Sequence, residues 1–172
     1  MRRHETLDWD LLAQTTEEID ATMLARPEFL DVVRLTPLIS IDLIVVDDQG
    51  RVLLGRRVNR PALGAWFVPG GRIHKDESLS GAFSRIAREE LGLENQSQNA
   101  ACFRGVFEHH YDENFAGAAD ISTHYIVLGY MLVLRETARI GRFEQHSDYV
   151  WMTPSELLAC SDVHENTKAY FR

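Results

Sequence analysis

The sequence predicts an α/β protein with a mixed β-sheet and a few helices, folded as one domain. Short runs rich in β-branched and aromatic residues recur between turn signals, which is typical of strands, and two segments carry helical patterning with end signals. The chain has 172 residues, of which 45% are hydrophobic and 26% charged. That length and composition suffice for a single sizeable core.

The predicted sheet begins with a hairpin. Residues 38–47, LISIDLIVVD, are nearly continuous in β-branched and apolar side chains, DDQG is a turn signal, and residues 51–57, RVLLGRR, supply the partner strand. A third strand, AWFVPGG at 65–71, ends in Pro-Gly-Gly. Further strands are predicted at CFRGVFEHHY, STHYIVLGYMLVL and DYVWM.

Two helices are predicted, one after the third strand and one near the C-terminus. The first covers residues 78–91 and stops at Gly92, because glycine readily takes the left-handed conformation at a helix end. Its apolar side is formed by Phe83, Ile86, Ala87 and Leu91. The second, TPSELLA at 153–159, opens with Thr153 as N-cap and Pro154 in the first turn.

The composition excludes several classes of partner and site. A formal net charge of -8 argues against a nucleic-acid backbone or an anionic membrane, since the overall field would repel both. Cys102 and Cys160 are far apart, which indicates neither a disulfide framework nor a zinc knuckle. No apolar run approaches a membrane span, and no secretory signal is recognisable. We therefore expect a cytoplasmic protein.

The N-terminal segment differs from the rest of the chain. Residues 1–23 are polar and acidic with only a faint helical pattern, and denser apolar patterning begins with RPEFLDVVRLTPLIS. We therefore divide the chain into an extension, 1–23, and a domain, 24–172. Residues 1–22 are expected to be dispensable for folding and activity, and Met23 stands where a natural start could lie.

Carboxylates recur on the first predicted helix. Positions 86, 89 and 90 are three and four residues apart and should converge on one patch, where Glu89 and Glu90 carry acid groups. Hard oxygen ligands of this kind, together with substrate phosphates, suit Mg²⁺. The alternative is a solvated surface helix, on which Arg85 and Glu89 form an i,i+4 ion pair of little energetic consequence.

The spacing of the whole segment resembles the Nudix box, G-x5-E-x7-R-E-U-x-E-E-x-G-U, in which U is aliphatic. The matching positions are Gly71, Glu77, Arg85, Ala87, Glu89, Glu90, Gly92 and Leu93. The sequence departs at Ile86, where the family has Glu. The resemblance implies a Nudix-type α/β/α sandwich and metal-assisted attack on a nucleoside diphosphate derivative.

Ile86 permits two interpretations. An aliphatic side chain at the convergence point removes one charge and two ligand oxygens, which favours one metal ion over several. Alternatively, Ile86 packs inward with Phe83 and the box survives with other ligands. Neither interpretation describes a multi-metal pyrophosphatase.

Other segments narrow the resemblance to a Nudix subfamily, the GDP-mannose mannosyl hydrolases, whose box also lacks that Glu. The similar segments are TPLISIDLIVV, LLGRRVNRPALGAWFVPGGRIHKDES, HHYDENFAG, STHYIVLGY and EQHSDYVWM, and the similarity covers roughly residues 24–172. It implies Mg²⁺-dependent hydrolysis of GDP-mannose to GDP and mannose, with water attacking the anomeric carbon with inversion. It also implies a homodimer, and it leaves open whether GDP-glucose or GDP-fucose is accepted as well.

The same resemblance implies roles for individual residues. One Mg²⁺ per subunit, replaceable by Mn²⁺, would be held by the Gly70 carbonyl, Glu90 and Gln145. His146 would be the catalytic base, because its ordinary pKa near neutrality suits removal of a proton from water. Arg57 and Arg72 would bind the diphosphate, Tyr125 would reach the leaving group, and Asp42 and His109 would lie on the sugar side. Asp42 could equally be a structural turn residue, and the arginines and Tyr125 could be solvated.

Two other functions are compatible with parts of the sequence. Glu89 favours a Nudix pyrophosphatase that cleaves a nucleoside diphosphate derivative at phosphorus, while Ile86 argues against it. A binding module without catalysis should have lost several box residues, yet Glu77, Arg85 and Glu90 are all present.

Overall fold

The structure, a computed structural model, describes residues 24–134 and 146–172; the predicted extension, 1–23, and Gln145 lie outside these ranges. The helices are α1 (Arg26–Leu35), α2 (Leu79–Leu91), α3 (Pro154–Ala159) and α4 (Glu165–Lys168), with 3₁₀ turns at Gln98–Ala100 and Ala169–Phe171. The strands are β1 (Leu38–Val46), β2 (Val52–Arg57), β3 (Trp66–Phe67), β4 (Gly70–Arg72), β5 (Cys102–Tyr111), β6 (Thr123–Val133) and β7 (His146–Met152).

The strands form one mixed sheet. Its main path runs β3-β2-β1-β6-β5, with β4 paired to β1 and β7 paired to β2. The central pair, β1 and β6, is parallel and in register from Leu38 opposite Tyr125 to Val46 opposite Val133, whereas the other pairings are antiparallel. The beginning of β1 pairs with β4 and its end with β2, so the sheet divides beside the first half of β1.

Helices cover both faces of this sheet. Alternate residues of β1, including Ile41 and Leu43, pack with Phe83 of α2 in one core cluster. Residues on the other face of β1, such as Ile44, pack with Leu157 of α3 in a second cluster. This arrangement confirms the α/β class and the predicted α/β/α sandwich, and the two-residue period of β1 is its cause.

The end signals of both predicted helices are confirmed. Ser78 accepts a hydrogen bond from the Gly81 backbone N–H at the start of α2, and Gly92 ends that helix with φ of 67°. Thr153 and Glu156 form a capping box at the start of α3. Such bonds satisfy backbone groups that the first and last helical turns leave unpaired.

The predicted third strand is wrong in one respect, because it divides in two. Phe67 in β3 pairs with β2, whereas Gly70 in β4 pairs with β1. Pro69 lies between them; it has no N–H to donate, but its carbonyl accepts a 2.8 Å bond from the Leu43 N–H. Gly70 and Gly71 therefore begin a strand of their own rather than ending the third strand.

Helix α1 was not assigned from the sequence. Pro27 lies in its first turn, and Glu28 accepts a bond from the Ala25 backbone N–H.

Between residues 24 and 134, and again between 146 and 172, no helix is long and apolar enough to cross a membrane.

Candidate active site

A cleft of about 770 Å³ opens where the sheet divides. Helix α1, strands β1 and β4 and the loop after β2 contribute to its walls. It is lined by six of the residues that the sequence analysis singled out: Asp42, Arg57, Gly70, Arg72, His109 and Tyr125. These residues come from five strands, and pairing within the sheet brings them together.

Strand register explains why Asp42 and Gly70 meet. The two residues lie directly opposite each other in the antiparallel β1–β4 pair. A Cβ on Gly70 would overlap Asp42 Oδ1 and would lie 2.7 Å from the Ile41 carbonyl oxygen. Only glycine therefore lets the carboxylate lie against the β4 backbone.

Both predicted diphosphate-binding arginines face the cleft. Arg57 donates from Nε to the Pro61 carbonyl at 2.9 Å, and its guanidinium lies 5.5 Å from the centre of the Phe67 ring. The Arg72 guanidinium lies 3.9 Å from the centre of the Phe29 ring. Stacking of this kind fixes a guanidinium while leaving its edge free for an anion. The arrangement provides positive charge in a protein whose net charge is negative.

The Tyr170 hydroxyl links two buried residues of the cleft, Asp42 and His109. Each is within hydrogen-bonding distance of the Tyr170 hydroxyl, at 2.7 Å from Asp42 Oδ2 and 3.2 Å from His109 Nε2. Burial raises the pKa of Asp42 to about 6, although the Tyr170 hydrogen bond and Arg57 act in the opposite direction. Burial lowers the pKa of His109 to about 4, with a smaller contribution from His164. The imidazole is therefore neutral at physiological pH.

Glu90 and His146 form a second buried group, on the α2 side of the sheet. Glu90 Oε2 lies 3.5 Å from His146 Nδ1, and both side chains are less than 5% exposed. The Tyr149 hydroxyl lies 3.1 Å from the Glu90 carbonyl and 3.3 Å from His146 Nδ1. Burial, followed by the positive charge of Arg57, lowers the pKa of His146 to about 4. The near-neutral pKa expected from the sequence is thus wrong, and His146 is a weaker base that stays neutral.

Gly55 makes room for the His146 ring. The two strands β2 and β7 are paired, and a Cβ on Gly55 would lie 2.5 Å from His146 Cγ. We expect Gly55→Ala to displace the ring and to lower the free energy of unfolding by roughly 1–3 kcal/mol, the usual cost of overpacking. Urea unfolding measures that loss, and a parallel loss of activity is expected. An alanine variant with wild-type stability and rate would show that the ring is not held in this way.

The predicted convergence of positions 86, 89 and 90 is only partly correct. Glu90 is 3% exposed, whereas the Glu89 side chain is 47% exposed and accepts a bond from Arg85 at 2.9 Å. Glu89 therefore forms the i,i+4 pair of the alternative interpretation, and Glu90 points inward. The core-facing pattern of α2 places residue 90 with Phe83 and Ile86 and places residue 89 one step around the helix.

Arg85 anchors the loop before α2. Its guanidinium binds both carboxylate oxygens of Glu77, at 2.8 and 2.9 Å, and also donates to the Arg72 carbonyl. Glu77 in turn accepts from the His74 backbone N–H, and the Arg85 hydrogen bonds lower the pKa of Glu77. Bidentate pairs of this type are geometrically specific. Glu77 and Arg85 thus fix strand β4 relative to α2.

Ile86 packs inward. It is 1% exposed and shares a core cluster with Phe83, and a Cβ on Gly71 would lie 3.1 Å from its Cγ1. The inward packing of Ile86 beside Phe83 is thereby confirmed. Through the contact of Gly71 with Ile86, strand β4 packs against helix α2 one turn before Glu90.

The donor groups fit a hard divalent cation. Glu90 presents a buried carboxylate and Gly70 a backbone carbonyl, both oxygen donors of the type that Mg²⁺ prefers. Within the described ranges no group of three or more His, Cys, Asp or Glu side chains could hold a metal. The expected ligand set contains a single carboxylate, and its third member, Gln145, lies outside those ranges.

Three residues that contact this region were missed from the sequence. Phe29 stacks on Arg72, Tyr149 contacts His146, and Tyr170 contacts Asp42. None belongs to the glycine–glutamate spacing, and the phenol of Tyr170 is 128 residues from Asp42. No local sequence signal distinguishes these aromatic residues from ordinary core residues.

Comparison with known protein families explains the spacing of glycine, glutamate and arginine in residues 71–93. Residues 36–172 match the NUDIX domain. The chain belongs to the Nudix family. The Nudix box thus comprises β4, the loop fixed by Arg85 and helix α2. The match begins just after α1.

Individual relatives show the same affiliation. The low-salt glycan biosynthesis protein Agl8 of Haloferax volcanii is 41% identical over 113 residues, which is 66% of this chain and 69% of that protein. An RNA pyrophosphohydrolase of Pseudomonas fluorescens is 40% identical over 67 residues, 38% of this chain and 40% of that enzyme. The MutT protein of Methanosarcina mazei Go1 shares the fold, with a TM-score of 0.63, 20% identity and coverage of 80% of this chain and 92% of that structure. The protein is a Nudix hydrolase, and hydrolases of this family generally use divalent metal ions.

Proposed function

We propose that this Nudix hydrolase converts GDP-mannose to GDP and mannose, and that water attacks the anomeric carbon with inversion. The observation that carries the proposal is the buried Glu90–His146 pair beside a core-packed Ile86. A site with one inward carboxylate and an adjacent imidazole suits a base that activates water, with the metal on the diphosphate. GDP-glucose and GDP-fucose are further candidate substrates.

The diphosphate would bind between the two guanidinium groups of the cleft. Arg57 and Arg72 are held by Phe67 and Phe29 and can donate to phosphate oxygens. Burial raises the pKa of Tyr125, against the effect of Arg72, so its phenol keeps its proton and can donate to the leaving oxygen. Gly70, Glu90 and Gln145 would hold Mg²⁺, which supplies positive charge to the departing diphosphate.

His146 would take the proton of the attacking water through Nε2. Its Nδ1 faces Glu90 and the Tyr149 hydroxyl, so the ring proton belongs on Nδ1. Nε2 is buried and has no hydrogen-bond partner among the described residues. The neutral ring thus has one nitrogen free to accept, which is the form that a general base requires.

No carboxylic acid is needed to protonate the leaving group. GDP held by the two guanidinium groups, with a divalent ion to supply further positive charge, would depart as a stabilised anion. Ordinary glycosidases instead use a pair of carboxyl groups, one of which acts as an acid. Asp42, which is buried beside Gly70, would act on the sugar side together with His109.

A second candidate function is cleavage at phosphorus by a Nudix pyrophosphatase. The RNA pyrophosphohydrolase relative and the presence of Glu89 favour it. The half-exposed position of Glu89 and its ion pair with Arg85 argue against it. The Agl8 relative, described as a glycan biosynthesis protein, favours a sugar-related substrate for this chain as well.

Hydrolysis of GDP-mannose in ¹⁸O-labelled water distinguishes the two functions. Attack at carbon yields GDP and mannose, with the label on the sugar and β-mannose as the first anomer in the NMR spectrum. Attack at phosphorus yields GMP and mannose 1-phosphate. Label in a phosphate oxygen would refute the proposal, because attack at the anomeric carbon cannot place it there.

The remaining parts of the proposal concern partners and organisation. We propose that Mn²⁺ can replace Mg²⁺, that the protein is a cytoplasmic homodimer, and that residues 24–172 constitute the hydrolase domain. The net charge of -8 supports the absence of nucleic acid and anionic membranes from its partners. Helix α1 supports a domain boundary ahead of the family match, because its Phe29 lines the cleft.

A further inference from the structure

Tyr170 connects the C-terminal turn to the sugar side of the cleft. It lies in the 3₁₀ turn Ala169–Phe171, is 9% exposed, and packs edge-to-face on Phe107 with ring centroids 4.6 Å apart. Its hydroxyl lies between Asp42 Oδ2 and His109 Nε2. Tyr170 itself does not line the cleft, whereas Asp42 and His109 do.

The hydrogen-bond directions in this group follow from its chemistry. Ionised Asp42 can only accept, so the single phenolic proton of Tyr170 goes to Oδ2. The phenol oxygen can then only accept from His109, so His109 carries its proton on Nε2. A neutral imidazole with Nε2–H has Nδ1 left as an acceptor.

The position of the Asp42 carboxylate is thereby determined on both sides. Oδ2 is bound by Tyr170, and Oδ1 lies where a Cβ of Gly70 would be. Rotation of the carboxylate would break the hydrogen bond or move Oδ1 away from the β4 backbone. A phenylalanine at residue 170 could make the same contact with Phe107 but could not hold Asp42.

We propose that Tyr170 is a positioning residue, which fixes the Asp42 carboxylate and the Nε2–H tautomer of His109 for contact with the sugar. The C-terminal turn is then part of the machinery for substrate positioning. The inference rests on the proposed function for the identity of the sugar, whereas the hydrogen-bond arrangement holds without substrate.

The first test needs no substrate. Long-range ¹H–¹⁵N spectra of the histidine rings in the free protein should show His109 as the Nε2–H tautomer. Tyr170→Phe should shift or lose that signal, and Tyr130→Phe should leave it unchanged. Tyr130 is a suitable control because it is also buried, belongs to the other core cluster, and makes its hydroxyl contact with Gln98. An Nδ1–H tautomer in the wild-type protein would overturn the proposal, whether or not the variants fold.

The second test is a double-mutant cycle on the hydrolysis of GDP-mannose. Tyr170→Phe should lower kcat/KM by about 10- to 100-fold, the effect of losing a hydrogen bond to a charged group. The same change in an Asp42→Ala background should have a much smaller further effect, because only the contact of Tyr170 with His109 is then left to lose. Tyr130→Phe should keep the wild-type value. Independent, multiplicative losses from Tyr170→Phe and Asp42→Ala would refute the positioning role.

The two tests distinguish failure of this inference from failure of the proposed function. If the expected tautomer is found and GDP-mannose is not hydrolysed, the substrate is wrong and the Tyr170 contacts stand. If GDP-mannose is hydrolysed and the cycle is multiplicative, the proposed function stands and the role of Tyr170 is wrong.

Discussion

Glu90→Gln should abolish most of the metal-dependent activity. Glu90 is the box carboxylate that turns inward, it is 3% exposed, and it lies beside His146. Glutamine keeps the shape of the side chain but removes the only negative charge in the proposed ligand set of Gly70, Glu90 and Gln145. The loss is measured as kcat with saturating Mg²⁺ and as Mn²⁺ affinity in the absence of substrate, and both should fall.

Glu89→Gln is the matched control for this result. It is the neighbouring carboxylate, yet it is half exposed and paired with Arg85, so its removal should cost much less activity. The order of the two effects is the critical observation. Equal damage from both substitutions would mean that a fuller metal cluster forms and that the site with one carboxylate is wrong.

His146→Gln should slow hydrolysis by roughly two to four orders of magnitude, the usual contribution of a general base. The substitution removes the imidazole Nε2, which is buried and has no hydrogen-bond partner among the described residues. Magnesium affinity should stay nearly unchanged, because the proposed ligands are Gly70, Glu90 and Gln145. Rates are compared in single-turnover experiments, so that product release does not hide the chemical step.

His110→Gln serves as the control for the histidine substitution. His110 is exposed on the edge strand β5, and its ring stacks on His124, away from the Glu90–His146 pair. It should keep the wild-type rate. A His146→Gln enzyme that also keeps the wild-type rate would exclude His146 as the base, whichever products are formed.

Local chemistry explains why much of the fold could be predicted. The bounds of α2 follow from a serine that caps its first turn and a glycine that ends it, and both interactions involve residues within a few positions of each other. The hairpin and the long strands follow from β-branched runs between turns in the same way. The division at Pro69 could not be read locally, because it depends on which strand lies beside each half of the segment.

The candidate site was only partly accessible to such reasoning. The residues of the box follow from spacing, and the apolar positions Phe83, Ile86 and Leu91 already indicate that residue 90 faces the core. A carboxylate on the apolar face of the helix is therefore the sequence signal that distinguishes Glu90 from Glu89. The lowered pKa of His146 could not be foreseen, since it results mainly from burial by the packed sheet.

By itself, the sequence determined the α/β class, the ends of both predicted helices and the Nudix box, because each depends on short-range caps, alternation or spacing. The tertiary structure alone decided that Asp42 meets Gly70 and Tyr170 and that Gly55 receives the His146 ring. Those contacts join residues up to 128 positions apart. They depend on strand order, register and the path of the C-terminal turn, none of which local patterning specifies.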